Sequence, residues 1–288
     1  MADPAKPGPV PPSPTASDRT GGQELYLRLM TEQLTGWHDP RAMLQHALDQ
    51  NQFLLLAQKI ISLKPGTPDP VCYEVLLRLK QEEDNLLPPG GFLDLADSFG
   101  MMDKIDQWVV RALLAWGAAR VKRDPAAPLP LMCVNVSAAA VASPAFAKTA
   151  LDRLQRYSLP GRALCFEINE REAIDQHPAV LAFINAMKPA GCRFTVDAFG
   201  SAKVSFSHLR GLAVDFIKID GIIIQGILSD PLASATAKAI NIVCHELGVR
   251  TIAEFVETKE TLTKLREIGV DYVQGFGVAR PQPIGNIP

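Results

Sequence analysis

Residues 53–78 read FLLLAQKIISLKPGTPDPVCYEVLLR. Two apolar runs of strand length, 53–60 and 71–78, are separated by SLKPGTPDP, whose prolines and glycine leave no room for a helix. Parallel neighbours need a crossover of roughly a dozen residues or more, so the first strand is predicted to run antiparallel to the second. Further strand-length runs follow at 131–136, 163–168, 192–197, 214–220, 249–254 and 270–276. Helical patterns occupy intervals between them, as at 92–121, 178–188, 231–247 and 258–268. This rhythm predicts an α/β fold, a TIM-like (β/α)8 barrel with an antiparallel first strand.

Working outward, Gln23 to about Gln50 carries apolar residues at helical spacing with a break near Gly36 and Pro40, which predicts two helices before the first strand. Residues 1–22, rich in Pro, Ala, Ser and Gly, read as a disordered tail or the remnant of a linker. The domain plan is therefore a tail over 1–22, a helical extension over 23–38 and the barrel over 39–288. With 47% hydrophobic residues in 288, a full core can be buried. A net charge of -2 supplies no basic field for nucleic acid polymers. No apolar run is long enough for a membrane segment, and the proline-rich start lacks a signal-peptide core, which points to a soluble cytoplasmic protein. Five widely spaced cysteines in mostly apolar runs read as reduced, buried thiols.

Barrel chemistry gathers at the carboxyl ends of parallel strands. Glu74 stands in the second strand, and Asn135, Glu167, Asp197, Lys218 with Asp220, Glu254 and Gln274 end the strands after it. Strand alternation sends these groups to one face and neighbours such as Val134, Val136, Phe166, Ile168, Ile217 and Ile219 to the other. Converging carboxylates repel one another and call for a hard cation; carboxylates with an amide oxygen, and no His or Cys, suit Mg²⁺ or Mn²⁺ better than zinc. A structural salt-bridge rim and a Schiff-base lysine at Lys218 are the competing readings. Against the latter, neighbouring carboxylates would keep Lys218 charged.

These stretches resemble the EAL family of bacterial cyclic di-GMP phosphodiesterases, from about Arg41 to about Pro283. Glu74-Val75-Leu76 stands at the signature tripeptide, NVS at 135–137 matches N-x-S, and FEINE at 166–170 resembles E-I-T-E. VDAFG at 196–200 looks like the paired-aspartate loop running on toward KID at 218–220, and TIAEFVET and DYVQGF match A-E-G-V-E and Q-G-Y. The resemblance implies hydrolysis of cyclic di-GMP to linear pGpG with two Mg²⁺ or Mn²⁺ ions. It places Glu74, Asn135, Glu167 and Asp197 on the first metal and Asp197 with Glu254 on the second. Lys218 would position or polarise the attacking water; Gln274 and Glu257 would support the network; Gln58 and Arg78, and Glu257 from the A-E-G-V-E match, would form the dinucleotide side. A homodimer, and a protein partner or fused signalling domains, are also implied.

Two departures matter. Ala198 fills the second position of the paired aspartates, and a methyl group cannot ligate, so the second metal should be weakly held and hydrolysis impaired. The alternative is a catalytically inactive cyclic di-GMP receptor acting through a protein partner. Ser201 to Val204 also departs from the family's loop, although Glu170 remains to anchor it and Asn169 replaces a threonine. Lys59 replaces a usual proline, and Val75, on the face opposite Glu74, is expected to be nearly neutral.

Overall fold

The computed structural model describes residues 39–64, 71–80, 86–87, 90, 92–201, 206–209 and 211–288. The tail over 1–22, the extension over 23–38 and residues 202–204 of the divergent loop lie outside the described residues. Strands β1 (Phe53–Ser62), β2 (Cys72–Lys80), β4 (Leu131–Asn135), β5 (Leu164–Asn169), β6 (Arg193–Phe199), β7 (Phe216–Ile219), β8 (Arg250–Ala253) and β9 (Tyr272–Val273) form the barrel wall. Each neighbour pairs in that order, and β1 closes the ring by pairing with both β2 and β9. Strand β1 is antiparallel to both, as the short 62–70 connection required, while β2, β4, β5, β6, β7, β8 and β9 run parallel. Two additions were not foreseen: β3 (Leu86–Leu87) pairs antiparallel with the end of β2, and β10 (Gln282–Pro283) pairs antiparallel with β1.

Helix α1 (Pro40–Asp49) precedes β1. The single pattern over 92–121 resolves into α2 (Leu93–Ser98) and α3 (Met102–Arg123), because Gly100 takes φ +62° between them, where a side chain is disfavoured. There follow α4 (Ala138–Val141), α5 (Pro144–Arg156), α6 (Glu170–Asp175), α7 (His177–Met187), α8 (Gly221–Gln225), α9 (Pro231–Glu246) and α10 (Lys259–Ile268). Polar residues at the strand-to-helix turns start many of them. Ser137 accepts from Ala140 N, Asn169 from Arg171 N, Asp220 from Ile222 N and Thr258 from Thr261 N. Such caps contribute about 1 kcal/mol each. Asp220 thus spends its carboxylate on α8 instead of the central cluster.

Alternation along the strands separates two cores. Outward side chains such as Val134, Phe166, Ile168 and Phe194 pack under the helices, where Phe166 meets Phe183 edge-on at 5.1 Å. Val75 belongs to this outer core, opposite Glu74. Inward residues Ile60, Cys72, Leu131, Cys133, Cys165, Phe216, Ile252 and Tyr272 fill the barrel floor. All five cysteines are free and buried, and Cys72 and Cys133 lie Sγ to Sγ at 3.5 Å. No helix among the described residues is long and apolar enough to cross a membrane.

Candidate functional site at the barrel mouth

Above that floor the inward positions turn polar. Glu74 lies two residues beyond Cys72 on β2, Asn135 two beyond Cys133, Glu167 two beyond Cys165 and Lys218 two beyond Phe216, so one strand period lifts each from floor to mouth. Lys218 is fully buried, and its Nζ lies 2.9 Å from Glu254 Oε1, 3.0 Å from Glu74 Oε2, 3.2 Å from Glu167 Oε2 and 3.4 Å from Asp197 Oδ1. Asn135 Nδ2 donates to Glu74 Oε1 at 2.9 Å. Gln274 Nε2 donates to Glu74 Oε2 at 2.6 Å and to Gln58 Oε1 at 3.0 Å, and Gln58 Nε2 donates to Ala279 O. One network thus joins β1, β2, β4, β5, β6, β7 and β8 with the end of β9.

Electrostatics divide the carboxylates. Burial alone would raise Glu74, but the Lys218 ammonium and hydrogen bonds from Gln274, Lys218 and Asn135 leave it below its ordinary range. Burial dominates at Glu167 and lifts it well above the usual value despite Lys218, with Glu74 and Asp197 adding to the rise. Glu254 is raised to about 7 by burial, with Asp197 and Glu74 outweighing part of the relief from Lys218. Burial would depress Lys218, yet the surrounding carboxylates, Asp197 and Glu167 foremost, push it well above its ordinary value. An amine held so firmly protonated is no Schiff-base nucleophile.

The donor set suits a hard cation. Among the described residues Glu167 Oε1 is buried without a hydrogen-bond partner, and Gln274 Oε1 likewise, so acceptor capacity remains there. Among the described residues, however, no three His, Cys, Asp or Glu side chains stand ready-spaced around one ion, because the acids converge on the ammonium. Asp197 and Glu254 are the more exposed of the four.

The backbone at Asp197 is irregular. Pairing of β6 with β7 slips between Val196 and Phe199, a bulge that presents Asp197 to the mouth and puts Ala198 at φ +52°. That left-handed state costs a residue with a Cβ about 1–2 kcal/mol. Glu170 Oε2 accepts from Gly200 N at 2.9 Å, the anchoring role expected of it.

Beside the cluster opens a cleft of about 560 Å³, bounded by Glu74, Asn135, Glu167 and Asp197 on one side and by Leu93, Met102, Ile105 and Val109 on the other. Asp106, buried on α3, accepts from Ser137 Oγ at 2.5 Å and from Ser137 N at 3.1 Å, and Glu172 accepts from Ala138 N at 3.1 Å. Two carboxylates so grip consecutive amides just past Asn135. Sequence reasoning missed both, although an acid sharing the α3 stripe with Val110 and Leu113 was a signal. Arg78 lies four residues beyond Glu74 on β2, with Nη1 on Leu77 O at 2.7 Å, outside the cluster. Glu257 is exposed, and among the described residues no hydrogen bond ties it to the network.

Residues 41–281 match the family model described as the EAL domain. The chain belongs to the EAL domain family. Among curated relatives, this EAL domain is 31% identical over 242 residues to cyclic di-GMP phosphodiesterase PdeB of Shewanella oneidensis, covering 83% of this chain and 28% of that protein. It is 31% identical over 244 residues to cyclic di-GMP phosphodiesterase PdeF of Escherichia coli, covering 84% of this chain and 31% of that protein. The matched region thus spans about a third of those relatives. Among solved structures, the FimX EAL domain of Pseudomonas aeruginosa bound to c-di-GMP superposes with a TM-score of 0.78 at 30% identity, covering 85% of this chain and 96% of that one.

Proposed function

We propose that this EAL domain binds cyclic di-GMP at the barrel mouth and that its metal-dependent hydrolysis to pGpG is impaired. The observation that carries the reading is the convergence of Glu74, Glu167, Asp197 and Glu254 on Lys218, with Asn135 and Gln274 bonded to Glu74. An acidic mouth repels a diester unless cations intervene, and the orphaned Glu167 Oε1 offers a ligand. In this reading Glu74, Asn135, Glu167 and Asp197 hold one Mg²⁺ or Mn²⁺, and Asp197 with Glu254 holds a second. Such a pair supplies Lewis acidity for in-line attack of water on phosphorus.

The chain's own residues set the geometry. Gln274 and Asn135 fix the two oxygens of Glu74, and Lys218 donates to the entering water or a phosphate oxygen while remaining protonated. Gln58 supports Gln274, and Arg78, four residues farther out, suits a phosphate. Glu257 completes the outer rim on the dinucleotide side. Ala198 contributes no ligand, which weakens the second site and favours binding over turnover. That substitution also supports the second reading, a receptor that reports the bound dinucleotide to a protein partner or to fused signalling domains, as a homodimer in the cytoplasm.

Calorimetry of cyclic di-GMP with Ca²⁺, alongside chromatography of pGpG formed with Mg²⁺ or Mn²⁺, tests both parts. Binding with slow product formation is expected. Absence of binding under Ca²⁺, Mg²⁺ and Mn²⁺ would defeat the proposal, and rapid turnover at micromolar enzyme or below would defeat the impairment.

A further inference from the structure

Two buried polar atoms near the β6 bulge lack partners and face one another. Glu170 Oε1 and His208 Nε2 lie 3.6 Å apart, and neither has a hydrogen-bond partner among the described residues. The Glu170 and His208 side chains keep only 5% and 9% of their surface. Buried groups of this kind are seldom left unpaired, and a shift of a few tenths of an ångström would bring the two within bonding distance. The other oxygen of the same carboxylate, Oε2, accepts from Gly200 N at 2.9 Å, three residues past Asp197. His208 is itself seated by the fully buried Phe199, whose ring centroid lies 5.8 Å from that of the imidazole. Charge is disfavoured on both partners. Burial raises Glu170 against the bond from Gly200, with Asp220 adding to the rise, and burial lowers His208, with His177 adding to the fall. A neutral imidazole that donates from Nε2 satisfies both orphaned atoms without a full ion pair.

We propose that His208 is a positioning residue: by donating to Glu170 Oε1 it keeps that carboxylate on Gly200 and so fixes the backbone turn that presents Asp197 to the mouth. Strand pairing alone does not hold this turn. The register with β5 ends where Asn169 meets Asp197, and the register with β7 slips between Val196 and Phe199. Glu170 therefore ties the turn from one side, and His208 keeps Glu170 in place from the other. The consequence for the site rests on the cyclic di-GMP reading above, in which Asp197 is a ligand to both cations.

The test reads the Gly200 amide directly by hydrogen exchange. His208→Phe keeps a ring against Phe199 and His208→Ala removes it, but both lose the donor. In both, the Gly200 amide should exchange about tenfold faster than in wild type, with the amides of the barrel strands unchanged. His208→Gln returns a neutral N–H donor and should restore Gly200 to within about threefold of wild type. Cyclic di-GMP binding, followed by calorimetry with Ca²⁺, should weaken about tenfold in the two donorless variants and recover with glutamine. Unchanged exchange at Gly200 in the donorless variants would overturn the proposal. So would a general rise in exchange together with a lower melting temperature, which marks a packing role. Faster exchange at Gly200 with wild-type affinity would remove His208 from the positioning of the site. If the wild type itself does not bind, the dinucleotide reading falls, whereas the His208 contact still stands or falls on Gly200 exchange.

Discussion

Ala198 and Phe255 share one backbone state, φ +52° and +51°, and each directly follows a carboxylate that faces Lys218. Two neighbouring parts of the mouth thus use the same local device. In each, a left-handed residue interrupts the regular backbone immediately after the acid.

At position 198, aspartate is the better fit on two counts, since it tolerates the left-handed region and restores a carboxylate ligand. Ala198→Asp should raise turnover at least tenfold, corresponding to about 1.4 kcal/mol of barrier. Ala198→Gly separates the effects: it should raise the melting temperature and leave pGpG formation unchanged. A gain in turnover with glycine would show that strain, not ligation, limits the rate.

Lys218 is the counter-charge for four buried or half-buried acids. Lys218→Met leaves them facing one another and should destabilise the fold by about 3–5 kcal/mol. Millimolar Mg²⁺ or Ca²⁺ should recover part of the loss in thermal melts, and more in the variant than in wild type. Equal cation responses would argue that the acids do not take up a metal.

Burial raises the Asp106 carboxyl to about 7, against the hydrogen bonds from Ser137 and with Glu172 and Asp103 adding to the rise. The folded state keeps this proton where the unfolded chain has released it, so stability falls as pH rises from about 4 to about 7. The full loss is on the order of 4 kcal/mol. Asp106→Asn retains an acceptor for Ser137 and should flatten this slope, with its largest stabilisation above pH 7. Parallel denaturant curves for the two proteins from pH 4 to 8 would refute the assignment.

Gly275 stands at φ +157°, and a Cβ there would meet Val256 O at 2.2 Å and Val256 N at 2.3 Å. The obstruction is backbone, tied by Val256 N donating to Gln274 O at 2.9 Å, so it cannot swing aside. Gly275→Ala should cost about 3 kcal/mol or more. It should also weaken dinucleotide binding, because Gln274 loses its place between Gln58 and Glu74. Unchanged urea midpoints would show that the loop yields.

Much of this architecture was legible in the residues. Period-two alternation separated Glu167 from Phe166 and Ile168, and Lys218 from Ile217 and Ile219, and the proline-bearing connection fixed the direction of β1. Where the reading failed, the cause was local. Gly100 splits α2 from α3 through a single left-handed residue, which a helical pattern passes over, and two-residue strands such as β3 and β10 have no period to detect. Asp220 looked like a rim acid because its capping bond to Ile222 N exists only once α8 forms. The backbone state of Phe255 was hidden for a related reason: φ belongs to the turn, and only the departure from glycine hinted at it.

Cys72, Cys133 and Cys165 form a sulfur row directly beneath Glu74, Asn135 and Glu167, with 6%, 0% and 0% of their surface exposed. The thiols of Cys133 and Cys165, with no exposed surface, are closed to an alkylating reagent while the staves remain joined. The labelling rate of these thiols therefore clocks how often the whole cylinder comes apart, and any occupant that braces the mouth from above should slow that clock.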